Sequence, residues 1–289
     1  MVKCSIYGGS YFTKKKEIQQ IKDNFKLLGV KDLDFCISDK RYRMKWNGSP
    51  KQRLENFYKG YNSNSDFMMA SQGGSGHSHF FQKIDSHKLR RKKLFCGYSD
   101  ATLMLLYLNQ KRGIISLHGP NSIKKFDEKS LSALKTALQM KNYGINFLAK
   151  KSMNVNNKKI EGITIGGNLT RINEYLIHER IDFRNKIVFL EDVEIKKEDL
   201  MNHLFNLKNY SAFSPKAILF GDLGRPLTDE LKEFILELFV GIPLIFEMPF
   251  GHVSPNITIP LGVKGVIDGR NNRITFIFPE SEKEYSVKF

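Results

Sequence analysis

The sequence predicts an α/β protein, with a parallel sheet covered by helices on both faces and then a second mixed α/β unit. Three observations point there. Short apolar runs alternate with segments of helical period through the first half. Between about 142 and 159 the pattern gives way to a polar stretch, including Lys150-Lys-Ser-Met-Asn-Val-Asn-Asn-Lys-Lys159. Beyond it the alternation resumes and ends in shorter strands and turns. The expected division is a first domain over 1–145, a linker over 146–159 and a second domain over 160–289.

The elements follow in order. Residues 3–7 read as a strand entering the turn Gly8-Gly9-Ser10. Thr13 is placed to cap a helix whose apolar face is Ile18, Ile21, Phe25 and Leu28, with Gly29 as its stop. Asp34 to Ser38 is a short strand, and Ser49-Pro50 starts a helix with Leu54, Phe57 and Tyr61 on its buried side. Phe67 to Ala70 is a strand running into Gln72-Gly-Gly-Ser-Gly-His77, followed by a short helix. Then come a strand at 94–96, a helix at 101–111, a strand at 114–117 and a helix near 127–140. The second half carries strand-like runs at 163–165, 187–190, 217–220, 244–247 and 274–278, with helices over 169–178, 196–208 and 228–239. Asp268-Gly-Arg-Asn-Asn-Arg273 reads as a hairpin turn.

Composition narrows the function classes. Hydrophobic content of 41% and charged content of 26% are ordinary for a globular chain of 289 residues. The net charge of +16 is not. Its densest clusters, Lys14-Lys15-Lys16 and Arg90-Arg91-Lys92-Lys93, come with no basic tail or nucleic-acid module. The reading is a solvated basic surface without a nucleic-acid partner. Three cysteines (Cys4, Cys36 and Cys96) without ligand spacing indicate neither a disulfide framework nor a zinc site. The N-terminal residues lack a signal-peptide pattern. The longest apolar segment, near 238–250, is broken by Glu247 and two prolines, so no membrane span is expected. These points together predict a cytoplasmic protein.

Three segments could carry chemistry. Gly97-Tyr98-Ser99-Asp100-Ala101 places one serine at a strand-to-helix corner among small residues, the setting of a nucleophile elbow. A plain helix cap would use the same residues. Gly73-Gly74-Ser75-Gly76 follows a strand and could offer backbone N–H groups to a reacting carbonyl, or be an ordinary turn. Among seven histidines, His252, in Pro249-Phe-Gly-His-Val-Ser-Pro255, sits on a constrained loop after a strand. His118, in Leu117-His-Gly-Pro120, competes with it, whereas His87, His178 and His203 read as surface or packing residues. Glu191 and Asp192 lie just beyond an apolar strand and could orient a histidine. Serine, acid and histidine thus each follow a predicted strand.

Five blocks, Gly97-Tyr-Ser-Asp-Ala-Thr102, His118-Gly-Pro120, Gly166-Gly-Asn-Leu-Thr170, Phe189-Leu-Glu-Asp-Val193 and Gly251-His-Val-Ser-Pro255, occur in order, with Pro260-Leu-Gly262 beyond the last. Together they resemble the serine LD-carboxypeptidases of murein recycling, a family that includes the microcin-C immunity peptidases. The resemblance implies a flavodoxin-like N-terminal domain, a swivelling C-terminal β/α domain and an active site between them. It implies a catalytic set of Ser99, Glu191 and His252, with oxyanion donors from the backbone of Gly74 and Asp100. Gln72, Gly73, Ser75, Gly76, His118 and Asn168 would contact substrate. The implied reaction removes the terminal D-Ala from a muropeptide tetrapeptide, without metal or cofactor, in a protein that is commonly a homodimer. The alternatives are a peptidase for peptidyl or aminoacyl nucleotide amides, and an altered protein that only binds peptidoglycan fragments. One block departs from the family: where an Arg-Gly-Gly-Tyr-Gly run is usual, this chain has Gln72-Gly-Gly-Ser-Gly76. An Arg fork and a Tyr face are therefore absent from that loop, with His77 and His79 as substitute donors.

Overall fold

A computed structural model describes residues 1–289. The first part runs β1 (Lys3–Tyr7), α1 (Lys15–Leu28), β2 (Asp32–Cys36), then a small hairpin of β3 (Arg41–Tyr42) and β4 (Trp46–Asn47). It continues with α2 (Pro50–Asn62), β5 (Phe67–Ala70), β6 (Leu94–Gly97), α3 (Thr102–Arg112), β7 (Ser116–His118) and α4 (Glu128–Leu138). Next come β8 (Tyr143–Asn146), β9 (Ser152–Met153), β10 (Lys159–Asn168), α5 (Leu169–His178), β11 (Lys186–Glu191) and α6 (Lys197–Asn209). The chain closes with β12 (Ala217–Phe220), α7 (Asp229–Leu238), β13 (Leu244–Ile245), β14 (Ile259–Leu261), β15 (Lys264–Asp268) and β16 (Arg273–Ile277).

Two sheets organise the molecule. In the first, β2-β1-β5-β6-β7 are parallel, the strand order of a flavodoxin-like fold, and β14 adds antiparallel to β7. Its central strands are buried on both faces: every residue of β5 and β6 is buried. That is why Phe67-Met-Met-Ala70 and Leu94-Phe-Cys-Gly97 read as continuous apolar runs rather than alternating ones. The second sheet has the order β8-β16-β15-β10-β11-β12-β13-β9, with a parallel centre and antiparallel flanks. The predicted hairpin at 268–273 joins β15 to β16, with Asp268 opposite Arg273.

Several expectations change. Residues 146–159 are not a bare connector, since β9 within them pairs with β13 at the edge of the second sheet. Nor do the sheets separate at one point of the chain: β8 joins the second sheet and β14 returns to the first. Polarity marked this stretch as a loop because edge strands need only one apolar face. The short helix expected after the Gly-rich loop is a series of 3-10 turns at His77–His79, Phe81–Lys83 and Ser86–Lys88.

The two sheets meet at a tight joint. Gly167, near the end of β10, lies against α3: a Cβ there would fall 2.6 Å from the Thr102 methyl. Thr102 Oγ1 accepts the Asn168 N–H at 3.1 Å. On the same side Thr164 Oγ1 donates to the Pro260 carbonyl at 2.6 Å, tying β10 to β14. The basic cluster Arg90–Lys93 precedes β6 and so lies at the opposite sheet edge from the C-terminal loops. Gly167→Ala should lower stability by roughly 1–3 kcal/mol, because the added methyl overpacks the joint. A urea titration would read this, and an unchanged midpoint would show that the joint is loose.

Candidate active site

The C-terminal ends of β5, β6, β10 and β11 converge on one cleft of about 730 Å³. Ser99 sits where β6 turns into α3, with φ of 61°. A left-handed backbone at a non-glycine residue costs about 1–3 kcal/mol and is held only where the surroundings enforce it. Here Tyr98 N–H donates to Asn121 Oδ1 at 3.3 Å, and the following 3-10 turn leads into α3. The geometry is that of a strand–elbow–helix, which an ordinary cap would not require.

Glu191 ends β11 with its side chain fully buried, and its Oε2 lies 2.7 Å from His252 Nδ1. Burial pushes the Glu191 carboxyl up, and the hydrogen bond and charge of His252 pull it back. The short distance needs Gly251, whose φ is 97° and whose Cβ, were there one, would lie 2.8 Å from Glu191 Cβ. The contact occupies His252 Nδ1 and leaves Nε2 for the cleft. The Tyr98 ring lies 4.6 Å from the imidazole, centroid to centroid, and helps fix its plane. Ser99 and His252 line the same cleft.

The Gly-rich loop forms the facing wall through Gln72, Gly73 and Gly74. A Cβ on Gly73 would stand 3.0 Å from Ser99 Oγ, so this backbone passes directly beside the hydroxyl. Ser75 and Gly76 do not reach the cleft. The Ser75 carbonyl accepts the Trp46 indole N–H at 2.7 Å, and Gly76 is packed against Arg53. The face missing from this loop comes from elsewhere: the Tyr11 ring covers Gly74, where a Cβ would lie 2.6 Å from it.

His118 is displaced from its expected place at the substrate. It is fully buried at the end of β7, with Ile259 of β14 beside it in the sheet. It lies behind Glu191, Nε2 to Oε1 at 3.9 Å, among Tyr98, Phe189 and Phe250. Burial, with the neighbouring His252, lowers its pKa to about 3. His77 and His79 are not cleft donors either. His77 Nδ1 is 2.7 Å from Asp100 Oδ2, and His79 Nδ1 is 2.9 Å from Arg53 Nη2.

The Asp100 side chain therefore points inward. It accepts from the His77 backbone N–H at 3.1 Å and from the Ser10 hydroxyl, and lies 3.6 Å from Arg171 Nε of the second half. Burial raises its carboxyl, but His77, Arg171 and Ser10 outweigh that and hold it below the usual carboxylate value. One carboxylate thus ties the elbow, the Gly-rich loop, the β1 turn and α5 together.

The remaining wall comes from β10 and β11. Asn168 lines the cleft and donates to Asp192 Oδ1 at 3.0 Å, while Asp192 Oδ2 accepts from Thr170 N–H at 2.9 Å. Arg171, Lys124, Glu194, Asp199 and His203 also line it. The sequence places His203 among surface or packing residues, and the structure sets it in the cleft wall. With Asp199 it brings one end of α6 to the cleft. No group of three or more His, Cys, Asp or Glu side chains converges into a metal-holding cluster. No helix is long and apolar enough to cross a membrane.

Fold and cleft define a two-lobed α/β protein whose functional groups face one another from two sheet edges. Residues 6–119 match the family model of the LD-carboxypeptidase N-terminal domain, and 161–267 that of the C-terminal domain. The chain belongs to this peptidase family, which spans the carboxypeptidases and the microcin self-immunity proteins. It is 28% identical to the "Probable murein peptide carboxypeptidase" of Bacillus subtilis over 217 residues, covering 70% of this chain and 68% of that one. It is 27% identical to the microcin C7 self-immunity protein MccF of Escherichia coli over 274 residues, covering 79% of each. The muramoyltetrapeptide carboxypeptidase structure from Oxalobacter formigenes superposes with a TM-score of 0.82 at 19% identity, over 95% of this chain and 98% of that one. MccF in complex with glutamyl sulfamoyl guanosine gives 0.82 at 21% identity, over 96% of each. The two-lobed fold is thus shared with both structures.

Two outcomes test these surroundings. His118 binds a proton near 6.5 in an unfolded chain but only near pH 3 when folded, so protons favour unfolding between those values. Stability should fall as pH drops from about 6.5 toward 3, and His118→Phe should flatten that slope; urea midpoints across the range decide it. Asp100→Asn should cost about 3 kcal/mol, since breaking a buried charge pair leaves its partners uncompensated. A melting temperature equal to that of the parent would refute the anchoring role.

Proposed function

We propose that this protein is a serine LD-carboxypeptidase that releases the terminal D-Ala of muropeptide tetrapeptides through Ser99, His252 and Glu191. The observation that carries the reading is the buried Glu191–His252 contact of 2.7 Å opening onto the cleft that holds Ser99 in its left-handed turn. In the proposed reaction, His252 Nε2 takes the hydroxyl proton as Ser99 Oγ bonds to the carbonyl carbon. It then gives that proton to the departing D-Ala nitrogen as the C–N bond breaks, leaving an acyl-enzyme. Water, deprotonated by the same nitrogen, bonds to the ester carbonyl carbon; as the acyl C–Oγ bond breaks, the nitrogen returns that proton to Ser99 Oγ and the shortened peptide leaves as its carboxylic acid. Glu191 holds the ring and stabilises the imidazolium. The N–H groups of Gly74 and Asp100 would bind the oxyanion, a contribution worth on the order of 10²–10³ in rate per donor in comparable enzymes.

The cleft chemistry suits such a substrate. Arg171 and Lys124 offer positive charge to peptide carboxylates, and Glu194 and Asp199 offer negative charge to the amine of a diaminopimelate or lysine side chain. The murein peptide carboxypeptidase relative supports this reading. The same reading carries a cytoplasmic site of action, a homodimer, and the nucleophile on the N-terminal domain with the acid and histidine on the C-terminal one. A second reading, a peptidase for aminoacyl nucleotide amides, is favoured by the likeness to MccF over 79% of both chains.

Incubation with purified tetrapeptide muropeptide and assay of free D-Ala tests the proposal. Ser99→Ala should lose on the order of 10⁴–10⁶ in kcat, and Glu191→Gln about 10⁴, with little change in KM. Measurable tetrapeptide binding by the parent protein without D-Ala release would reduce it to a binding protein. Release by Ser99→Ala at the parental rate would remove the serine from the mechanism.

A further inference from the structure

Beside the Gly-rich loop, outside the cleft proper, lies a second cavity of about 250 Å³. It shares Tyr11 and Gln72 with the cleft, so the two adjoin across that loop. Its other walls are the turn after β1, the start of α1 and the hairpin of β3 and β4, which bring in Lys14, Arg41 and Lys45. We propose that this cavity is a subsite for a phosphate or diphosphate group carried on the part of the substrate away from the reacting bond. The proposal deepens the function proposed above and rests on it for the word substrate; the cavity's own chemistry does not.

Charge is the first reason. Lys14, Arg41 and Lys45 come from two separate segments and none is ion-paired with a carboxylate. Instead the Arg41 guanidinium lies 5.4 Å over the Phe12 ring, and Lys45 Nζ lies 5.2 Å from the Tyr11 ring and 5.5 Å from Trp46. The one acid in the wall, Glu17, is already engaged: its Oε2 accepts the Lys14 backbone N–H at 2.6 Å. Three unpaired cations around one small cavity match a multiply charged anion better than a single carboxylate.

The second reason is preorganisation. Such a two-residue hairpin would not persist alone, yet this one is fastened at several points. Phe12 N–H donates to the Lys45 carbonyl at 2.7 Å, and Asn47 N–H to the Ser10 carbonyl at 2.9 Å. Trp46 Nε1 reaches the Ser75 carbonyl at 2.7 Å, which fixes the hairpin to the back of the loop beside Ser99. The half-buried Tyr11 and Phe12 rings of the wall supply a stacking surface next to the cations, suited to the sugar or base attached to a phosphate.

Trp46 is the chain's one tryptophan and its ring lies 5.5 Å from Lys45 Nζ, so its fluorescence reports on the subsite through that lysine. The protein carrying Ser99→Ala, titrated with inorganic pyrophosphate, uridine diphosphate and adenosine monophosphate, should show saturable fluorescence changes. Affinity should fall by about tenfold in Arg41→Ala/Lys45→Ala and weaken as salt rises from 50 to 500 mM, as expected for exposed charge contacts. Preference for the uridine or the adenosine ligand tells a nucleotide-linked muropeptide from an aminoacyl nucleotide. With active protein, the double substitution should raise KM about tenfold for uridine-diphosphate-linked muramoyl tetrapeptide and leave free tetrapeptide within twofold. Equal affinity of parent and double variant for all three anions would overturn the subsite, whether or not tetrapeptide is hydrolysed. Hydrolysis of neither peptide, with anion binding intact, would overturn the proposed function and spare the subsite.

Discussion

The contact between Glu191 and His252 is the constraint around which the rest of the molecule is arranged. A fully buried carboxylate is costly unless a partner meets it, and here the partner is one imidazole nitrogen at 2.7 Å. Its position depends on β11 ending at Glu191, on Gly251 letting the histidine loop pass close, and on Tyr98 lying against the ring. The second carboxylate oxygen has no hydrogen bond, with neutral His118 3.9 Å behind it. The one strong interaction of Glu191 therefore aims the histidine toward the cleft.

The serine is brought to that histidine by the joint between the sheets. Thr102 follows the elbow by three residues and also receives Gly167 and the Asn168 N–H from β10. Asp100 makes a second tie, reaching His77 and Ser10 in the first half and Arg171 in the second. A shift of either sheet would strain both contacts, so the separation between elbow and histidine is set by packed, buried groups rather than by loops. A two-lobed protein gains a site of fixed width in this way while keeping a cleft of about 730 Å³ open to substrate.

Much of this was legible in the residues. Ser99, Glu191 and His252 each follow an apolar run, and a parallel sheet gathers strand-end loops at one edge. His118 met the same criterion and was misplaced, because strand-end position does not say what will cover the side chain; Phe189 of β11 and Phe250 of the histidine loop, from the other half of the chain, do so. Ser75 and Gly76 were expected at the substrate with their neighbours, but the bond from Trp46 turns the loop away after Gly74. Tyr11, Arg171 and the hairpin at 41–47 carried no pattern of their own. Their roles arise from the meeting of distant segments, and two-residue strands are too short to show a period. The polar stretch 146–159 was read as a connector for a related reason, since β9 is only an edge strand.

The central claim is that Ser99 is activated by His252, held by Glu191, independently of which amide the cleft accepts. Stoichiometric labelling with a small fluorophosphonate, located by peptide mass spectrometry, tests it most directly. The account predicts a single adduct on Ser99, formed as Oγ displaces fluoride from phosphorus, with the rate falling at least a hundredfold in His252→Ala and in Glu191→Gln. Labelling of another residue, or an unchanged rate at Ser99 in both variants, would contradict it.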